Sequence, residues 1–240
     1  MDEAGLTVAD FRTHTMISSE TVVATLRKRV GESRIGFDEA AFRSIVEDMT
    51  VTRRSVVIYG EPNQALLAVD AFESSNKFVP VAVITEAGDA TFAGYPVIAP
   101  RTLEFLRKKD LLNVFLCGAN QATVEQQRIS CEALGLQLVS AIHGGATVSR
   151  FAKIGRGVFI GPNVSVGPDV TVGDFCRVLS GASIAHHCVL EEYATLSDGC
   201  HIGGNVEVGS KVMIGIGASV NKRIKLGEGA IVVSGATVVD

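Results

Sequence analysis

The sequence predicts a small α/β domain followed by a parallel β-solenoid. Three observations predict it. From Val148 to Val238 every sixth residue is aliphatic. Two residues before each of these, from Ala146 to Ala236, stands another small or apolar residue. Upstream, between Ser55 and Ser140, short apolar runs alternate with helix-like segments.

A six-residue period fits neither a helix, with its 3.6-residue turn, nor a long strand with its alternation of two. It fits a coil of short strands in which each hexapeptide turns two alternate side chains inward and then bends. Three such units close a triangular coil of about eighteen residues. The residue after the aliphatic one is Gly at 155, 161, 167, 173, 203, 209, 215 and 227, and Asn at 221. These types tolerate positive φ, so the corners are expected to bend there.

The upstream elements follow in order. Ser55–Gly60 reads as a buried strand ending in glycine, and residues 64–73 as a helix. Phe78–Ile84 is a second strand, Pro96–Ile98 a short third, and residues 101–109 a helix. Asn113–Cys117 is a strand, Asn120–Gly135 a helix and Leu136–Ser140 a last strand. Strand–helix alternation of this kind builds a doubly wound parallel sheet. Ligands on such sheets bind beyond the carboxyl ends of the strands, which points to Gly60-Glu61-Pro62-Asn63-Gln64. Residues 1–54 read as a helical extension, with helices at Ser19–Val30 and Phe37–Met49. The expected domains are therefore 1–54, 55–144 and 145–240.

Composition narrows the function. The chain has 240 residues and a net charge of −4, which gives nonspecific nucleic-acid binding no electrostatic support. Mean hydropathy is +0.30, yet no apolar run reaches the ~18 residues of a membrane span. No basic-then-apolar leader is read after Asp2 and Glu3, and the expected compartment is the cytoplasm. Cys176, Cys188 and Cys200 stand at the inward small position, so they are expected to be buried packing residues, without disulfide or metal.

The segment Ile184-Ala185-His186-His187-Cys188-Val189, with Leu196-Ser197-Asp198-Gly199, Gly203-Gly204-Asn205-Val206 and Ile214-Gly215-Ile216-Gly217-Ala218, resembles one group of enzymes. These are the bacterial hexapeptide-repeat acetyltransferases acting on nucleotide-linked 4-amino-4,6-dideoxysugars, with their sialic-acid O-acetyltransferase relatives. The resemblance covers roughly residues 55–240. It implies a Rossmann-like nucleotide-sugar-binding domain followed by a left-handed β-helix. It further implies acetyl-CoA as co-substrate, a homotrimer with active sites between subunits, and a role in surface polysaccharide or glycan biosynthesis. In the family the histidine at position 186 is the general base and an acidic residue after it orients that base; here the neighbour is His187. The resemblance makes Gly204 an acetyl-group contact and places coenzyme contacts at Thr195 and Ser197. It places the nucleotide sugar at Gly60, Glu61, Asn63 and Glu86, although of the family's glycine-rich turn only Gly60 is retained.

Chemistry picks His186 independently. Acetylation of an amine by a thioester needs a proton acceptor, and a neutral imidazole serves near pH 7. It also needs a donor for the oxyanion, commonly a backbone N–H. Adding eighteen to 186 gives Gly204, one coil up on the same corner, and adding eighteen again gives Lys222. With Arg223 and Lys225 beside it, that corner offers positive charge for the phosphates of coenzyme A. Glu191 and Glu192 fall at the next corner, and His143 and His201 read as structural and face residues. No second histidine stacks on His186, so no zinc ligand set forms between adjacent coils. A sugar O-acetyltransferase and a non-catalytic solenoid scaffold remain the alternatives. Val189, Tyr193 and Met213 are the outward apolar residues expected to support association.

Overall fold

The computed structural model describes residues 54–85, 91–108, 112–118 and 120–239. The expected helices at Ser19–Val30 and Phe37–Met49, and Glu86, lie outside the described residues. No helix among the described residues is long and apolar enough to cross a membrane.

The α/β domain contains β1 (Ser55–Gly60), α1 (Pro62–Ser75), β2 (Val79–Ile84), β3 (Thr91–Phe92) and β4 (Tyr95–Pro96). Then come α2 (Leu103–Lys108), β5 (Asn113–Cys117), α3 (Gln121–Ala133) and β6 (Gln137–Leu138). Strands β2, β1, β5 and β6 form one parallel sheet in that order. Pro62 opens α1, where its missing N–H costs nothing, and Ala65, Ala68, Val69 and Phe72 bury one stripe of the helix. Asn120 caps α3 by accepting from the Thr123 N–H at 3.0 Å. One element departs from expectation. Pro96–Ile98 does not form a third parallel strand; Tyr95–Pro96 pairs antiparallel with Thr91–Phe92, and only Val97 bridges to Val83. The Ala93-Gly94 turn, with both residues at positive φ, folds the segment into this hairpin first.

The solenoid begins at Ala141–Ile142, a few residues before the expected boundary, and continues to Thr237–Val238. Its two-residue strands stack into three parallel faces of six, six and five strands. The first face stacks Ala141, Phe159, Arg177, Thr195, Met213 and Ile231 outward. The second stacks Thr147, Ser165, Ser183, His201, Ser219 and Thr237. The third stacks Lys153, Thr171, Val189, Glu207 and Lys225. Every pairing joins residues eighteen apart, as the triangular coil requires. Inside, the aliphatic series and its small companions form one continuous buried cluster. Burying an Ile or Leu such as Ile184, Leu190 or Leu196 contributes about 1.5–3 kcal/mol each.

The corners bend two residues later than expected. Positive φ occurs at Asn163, Asp169, Phe175, His187, Tyr193, Asn205, Lys211 and Arg223 and at the matching glycines, not at the residue after each aliphatic one. Except at Gly227, the glycines at that earlier position answer to a steric demand instead. A Cβ on Gly209 would lie 2.8 Å from the Glu228 nitrogen of the next coil and 2.9 Å from the Leu226 oxygen. The coils stack so closely there that a side chain has no room.

The α/β domain packs on the first face and on the two corners that flank it. Phe159, from the first face, joins the core around Phe72 and Phe115. At one corner Tyr193 stacks on Phe175, with centroids 5.2 Å apart, and its hydroxyl donates to Glu125 of α3. Hydrogen bonds from Arg128 and then Tyr193 hold the Glu125 carboxyl down at about 2. Arg156 pairs with Asp174 at 2.9 Å and Glu132 at 3.2 Å. At the other corner His143 sits 3.3 Å from Asp70. Tyr193 therefore belongs to the seam between the domains and is not free for association; Val189 and Met213 are exposed as expected.

The steric account of the corner glycines is testable at one corner. Gly227 stands eighteen residues after Gly209 and has nothing within 4 Å of an added Cβ. Gly209→Ala should cost about 1–3 kcal/mol by overpacking, and Gly227→Ala at most about 0.5 kcal/mol, in denaturant titrations. Equal effects would refute the stacking explanation.

Candidate functional site

The corner between the second and third faces carries the candidate site. The strands Ser183–Ile184, His201–Ile202 and Ser219–Val220 pair in register, so the residues that follow them stack in turn. His186, Gly204 and Lys222 consequently lie one above another, with coils about 4.8 Å apart. Backbone hydrogen bonds lock the stack: Asn205 N donates to His186 O at 3.0 Å, and Arg223 N to Gly204 O at 3.0 Å. Beneath the corner the Cys188 thiol donates to Gly203 O at 3.0 Å, linking the same two coils.

The imidazole of His186 is exposed and lies over Gly204. A Cβ on Gly204 would meet His186 Cε1 at 2.8 Å and Nε2 at 2.9 Å. The space above the Gly204 Cα seats the histidine ring. His186 Nδ1 stands 2.9 Å from His187 Nδ1, with the two rings nearly perpendicular at 85°. His187 has φ 57°, the left-handed conformation of this corner, and its Nε2 lies 3.5 Å from Asp169 Oδ2 on the coil below. Asp169 was not among the residues singled out from the sequence. Subtracting eighteen from 187 finds it.

Other expected residues fall elsewhere. Lys222 and Arg223 are exposed on the His186 corner. Lys225 is tied to Glu207 at 2.8 Å on the third face. Thr195 faces outward on the first face, and Ser197 lies at the corner after it, a different corner from that of His186. Glu191 points away from His186; its carboxylate accepts from Ser210 N and Oγ, both at 2.9 Å. His201 is a face residue, its Nδ1 2.8 Å from Ser183 Oγ. The five cysteines are free and buried, and burial pushes the Cys176 and Cys200 thiols up to about 12.

Gly60, Glu61 and Asn63 stand at the amino end of α1, where the carboxyl ends of β1 and β5 adjoin. Gly60 pairs with Cys117, and a Cβ on it would meet the Cys117 oxygen at 2.2 Å. Here the chain needs glycine so that the two strands can close side by side. Glu61 N donates to Cys117 O at 3.0 Å, and the Glu61 carboxylate accepts from Asn63 Nδ2 at 3.1 Å. Sequence reasoning also missed Arg177. It reaches from the first face to hydrogen-bond Gln64 beside this turn, and desolvation there lowers its proton affinity.

The two halves of the candidate site are far apart in one chain. The α/β domain covers the first face, and the His186 corner is the edge opposite that face.

Residues 151–186 match the family model of the bacterial transferase hexapeptide (six repeats). No curated protein sequence matches the chain. Among solved structures, a histidine-to-alanine mutant of GDP-perosamine N-acetyl transferase from Caulobacter crescentus, in complex with CoA and GDP-perosamine, aligns with a TM-score of 0.73. The identity is 26%, over 80% of this chain and 91% of that one. PerB from Caulobacter crescentus, in complex with CoA and GDP-perosamine, aligns with a TM-score of 0.67 and 27% identity over the same shares. The acetyltransferase domain of PglB from Neisseria gonorrhoeae FA1090, in complex with acetyl coenzyme A, shares the fold with a TM-score of 0.71. Its identity is 23%, over 78% of this chain and 93% of that one.

The seat of His186 gives a direct test. Gly204→Ala should displace the imidazole while leaving the coil intact, because Gly204 is not at positive φ. Any turnover that depends on His186 should fall at least about tenfold with little change in melting temperature. Unchanged turnover would show that the ring's position over Gly204 has no catalytic importance. The chain thus carries the bacterial transferase hexapeptide repeat over residues 151–186 and is similar in fold to the GDP-perosamine N-acetyl transferase.

Proposed function

We propose that the protein transfers an acetyl group from acetyl-CoA to the amine of a nucleotide-linked amino-deoxysugar, with His186 as general base, in the biosynthesis of a surface polysaccharide or glycan. The observation that carries this reading is the His186 corner. An exposed imidazole is seated over a glycine, and its Nδ1 is engaged by His187. A packing role does not call for an imidazole there. The likeness to proteins solved with CoA and GDP-perosamine, across most of both chains, supports the substrate class.

The chemistry is balanced by these groups. The amine nitrogen attacks the thioester carbonyl, forming the C–N bond, and its proton passes to His186 Nε2. The oxyanion is met by a backbone N–H, for which Gly204 is the proposed donor from beside the ring. Collapse breaks the C–S bond, and the coenzyme thiolate leaves with the proton from His186. Lys222 and Arg223, one coil further up, are placed to attract the coenzyme phosphates. Thr195 lies on the first face and Ser197 at the corner after it, so they serve the coenzyme only from a neighbouring chain.

That neighbour is part of the proposal. The amino end of α1, with Gly60, Glu61 and Asn63, is proposed to hold the nucleotide, and it lies on the side of the solenoid away from His186. A homotrimer that sets the α/β domain of one chain against the His186 corner of the next brings both to one substrate. Val189 and Met213, exposed on the solenoid faces, suit such contacts.

His186→Ala should lower kcat on a nucleotide-linked amino sugar by about a hundredfold or more while leaving coenzyme A affinity nearly unchanged. Full activity in this variant would overturn the assignment. Acetyl transfer to sugar hydroxyls but not amines would favour the O-acetyltransferase reading. Absence of coenzyme A binding by the native protein would favour a scaffold.

A further inference from the structure

We propose that Asp169, acting through His187, fixes the proton of His186 on Nδ1 and so keeps Nε2 free to act as a base. The inference rests on His186 being the base of the reaction proposed above. Three groups adjoin on one corner: Asp169 Oδ2 lies 3.5 Å from His187 Nε2, and His187 Nδ1 lies 2.9 Å from His186 Nδ1. Two imidazole nitrogens in hydrogen-bond contact must share one proton, held by one or the other. The carboxylate decides which. It accepts and cannot donate, so it favours the His187 tautomer with the proton on Nε2. His187 Nδ1 is then an acceptor, and the shared proton belongs to His186 Nδ1. His186 Nε2 is left with its lone pair.

The opposite arrangement puts a bare His187 Nε2 against a carboxylate and a proton on His186 Nε2. That form cannot take a proton from an amine. An acid is absent from the position next to His186, but one is present a coil below, and His187 spans the gap. The solenoid supplies the geometry: Asp169 and His187 are both left-handed corner residues, with φ 56° and 57°, on adjacent coils. His187 N donates to Pro168 O at 3.0 Å, which ties the two corners together. Asp169 and His187 are positioning residues; His186 alone meets the substrate.

The contact is wet. The side chains of His187 and Asp169 are 57% and 63% exposed, and 3.5 Å is long for a hydrogen bond. The effect on rate is correspondingly modest, as it is for exposed ion pairs.

The test reads the protons directly, in the full chain without substrate. Nitrogen-15 spectra of histidine-labelled protein should show His187 protonated on Nε2 and His186 on Nδ1 near neutral pH, with peaks assigned from single histidine variants. Asp169→Asn keeps the shape and tolerates the left-handed backbone, but an amide can donate as well as accept and does not discriminate. Both imidazoles should then become tautomer mixtures, and kcat should fall roughly threefold to fivefold with KM unchanged. A wild-type His186 with its proton mainly on Nε2, or tautomers unmoved by Asp169→Asn, would overturn the relay. If the tautomers shift as expected but no amino sugar is acetylated, the relay stands and the proposed function falls. If acetylation depends on His186 while the tautomers ignore Asp169, the function stands and the relay falls.

Discussion

Parallel backbone pairing at a step of eighteen residues is the constraint on which the rest depends. Each two-residue strand is too short to be stable alone. It persists because its N–H and C=O groups bond to the coils above and below, as in Gly203 N to Val220 O and Ala185 N to Ile202 O. The inward side chains stack on their counterparts in the next coil, and apolar burial accumulates along the axis. A slip of one residue would turn the aliphatic series outward, so the register is strongly specified. The same register makes each corner a column of residues at fixed spacing. Asp169, His187, Asn205 and Arg223 form one such column, and His186, Gly204 and Lys222 the column beside it. The chemistry at the His186 corner is thus a consequence of the packing rule that builds the core.

The seam between the domains follows different physics. It joins aromatic contact, Phe175 on Tyr193, with a charged network of Glu125, Arg128, Glu132, Arg156 and Asp174. Both aromatic residues occupy left-handed corner positions, where a large side chain carries a conformational cost. Their contact with the α/β domain offsets that cost and fixes the domain on the first face. This placement keeps the α1 turn away from the histidine corner of the same chain. In the proposed enzyme, association between chains is then part of building the active site.

Much of the solenoid was legible because its signal is periodic. The inward residues, the eighteen-residue step and the stacking of Gly204 over His186 all follow from counting. The bend position is not legible from glycine alone, because a glycine marks positive φ at some corners and, as at Gly209, close approach of the next coil at others. Asp169 is not legible along the chain, where the acids nearest His186, Glu191 and Glu192, fall at the next corner; only counting eighteen back from His187 reaches it. In the α/β domain Ser55–Gly60 and Asn113–Cys117 were read residue for residue, since both are buried apolar strands ending at a glycine or cysteine. Pro96–Ile98 was not, because a two-residue hairpin strand has too few residues for a pattern. Tyr193 and Arg177 show the usual limit: sequence period places them outward, but only tertiary structure shows that the α/β domain covers them.

The central claim is that the His186 corner of one chain works on a sugar held by the α/β domain of another. A crystal structure with coenzyme A and a nucleotide-linked amino sugar tests it most directly. The account predicts the sugar amine within about 3 Å of His186 Nε2, with the nucleotide at the Gly60–Gln64 turn of a neighbouring chain and the coenzyme phosphates near Lys222 and Arg223. A sugar amine bound remote from His186, or a nucleotide and histidine brought together within a single chain, would contradict it.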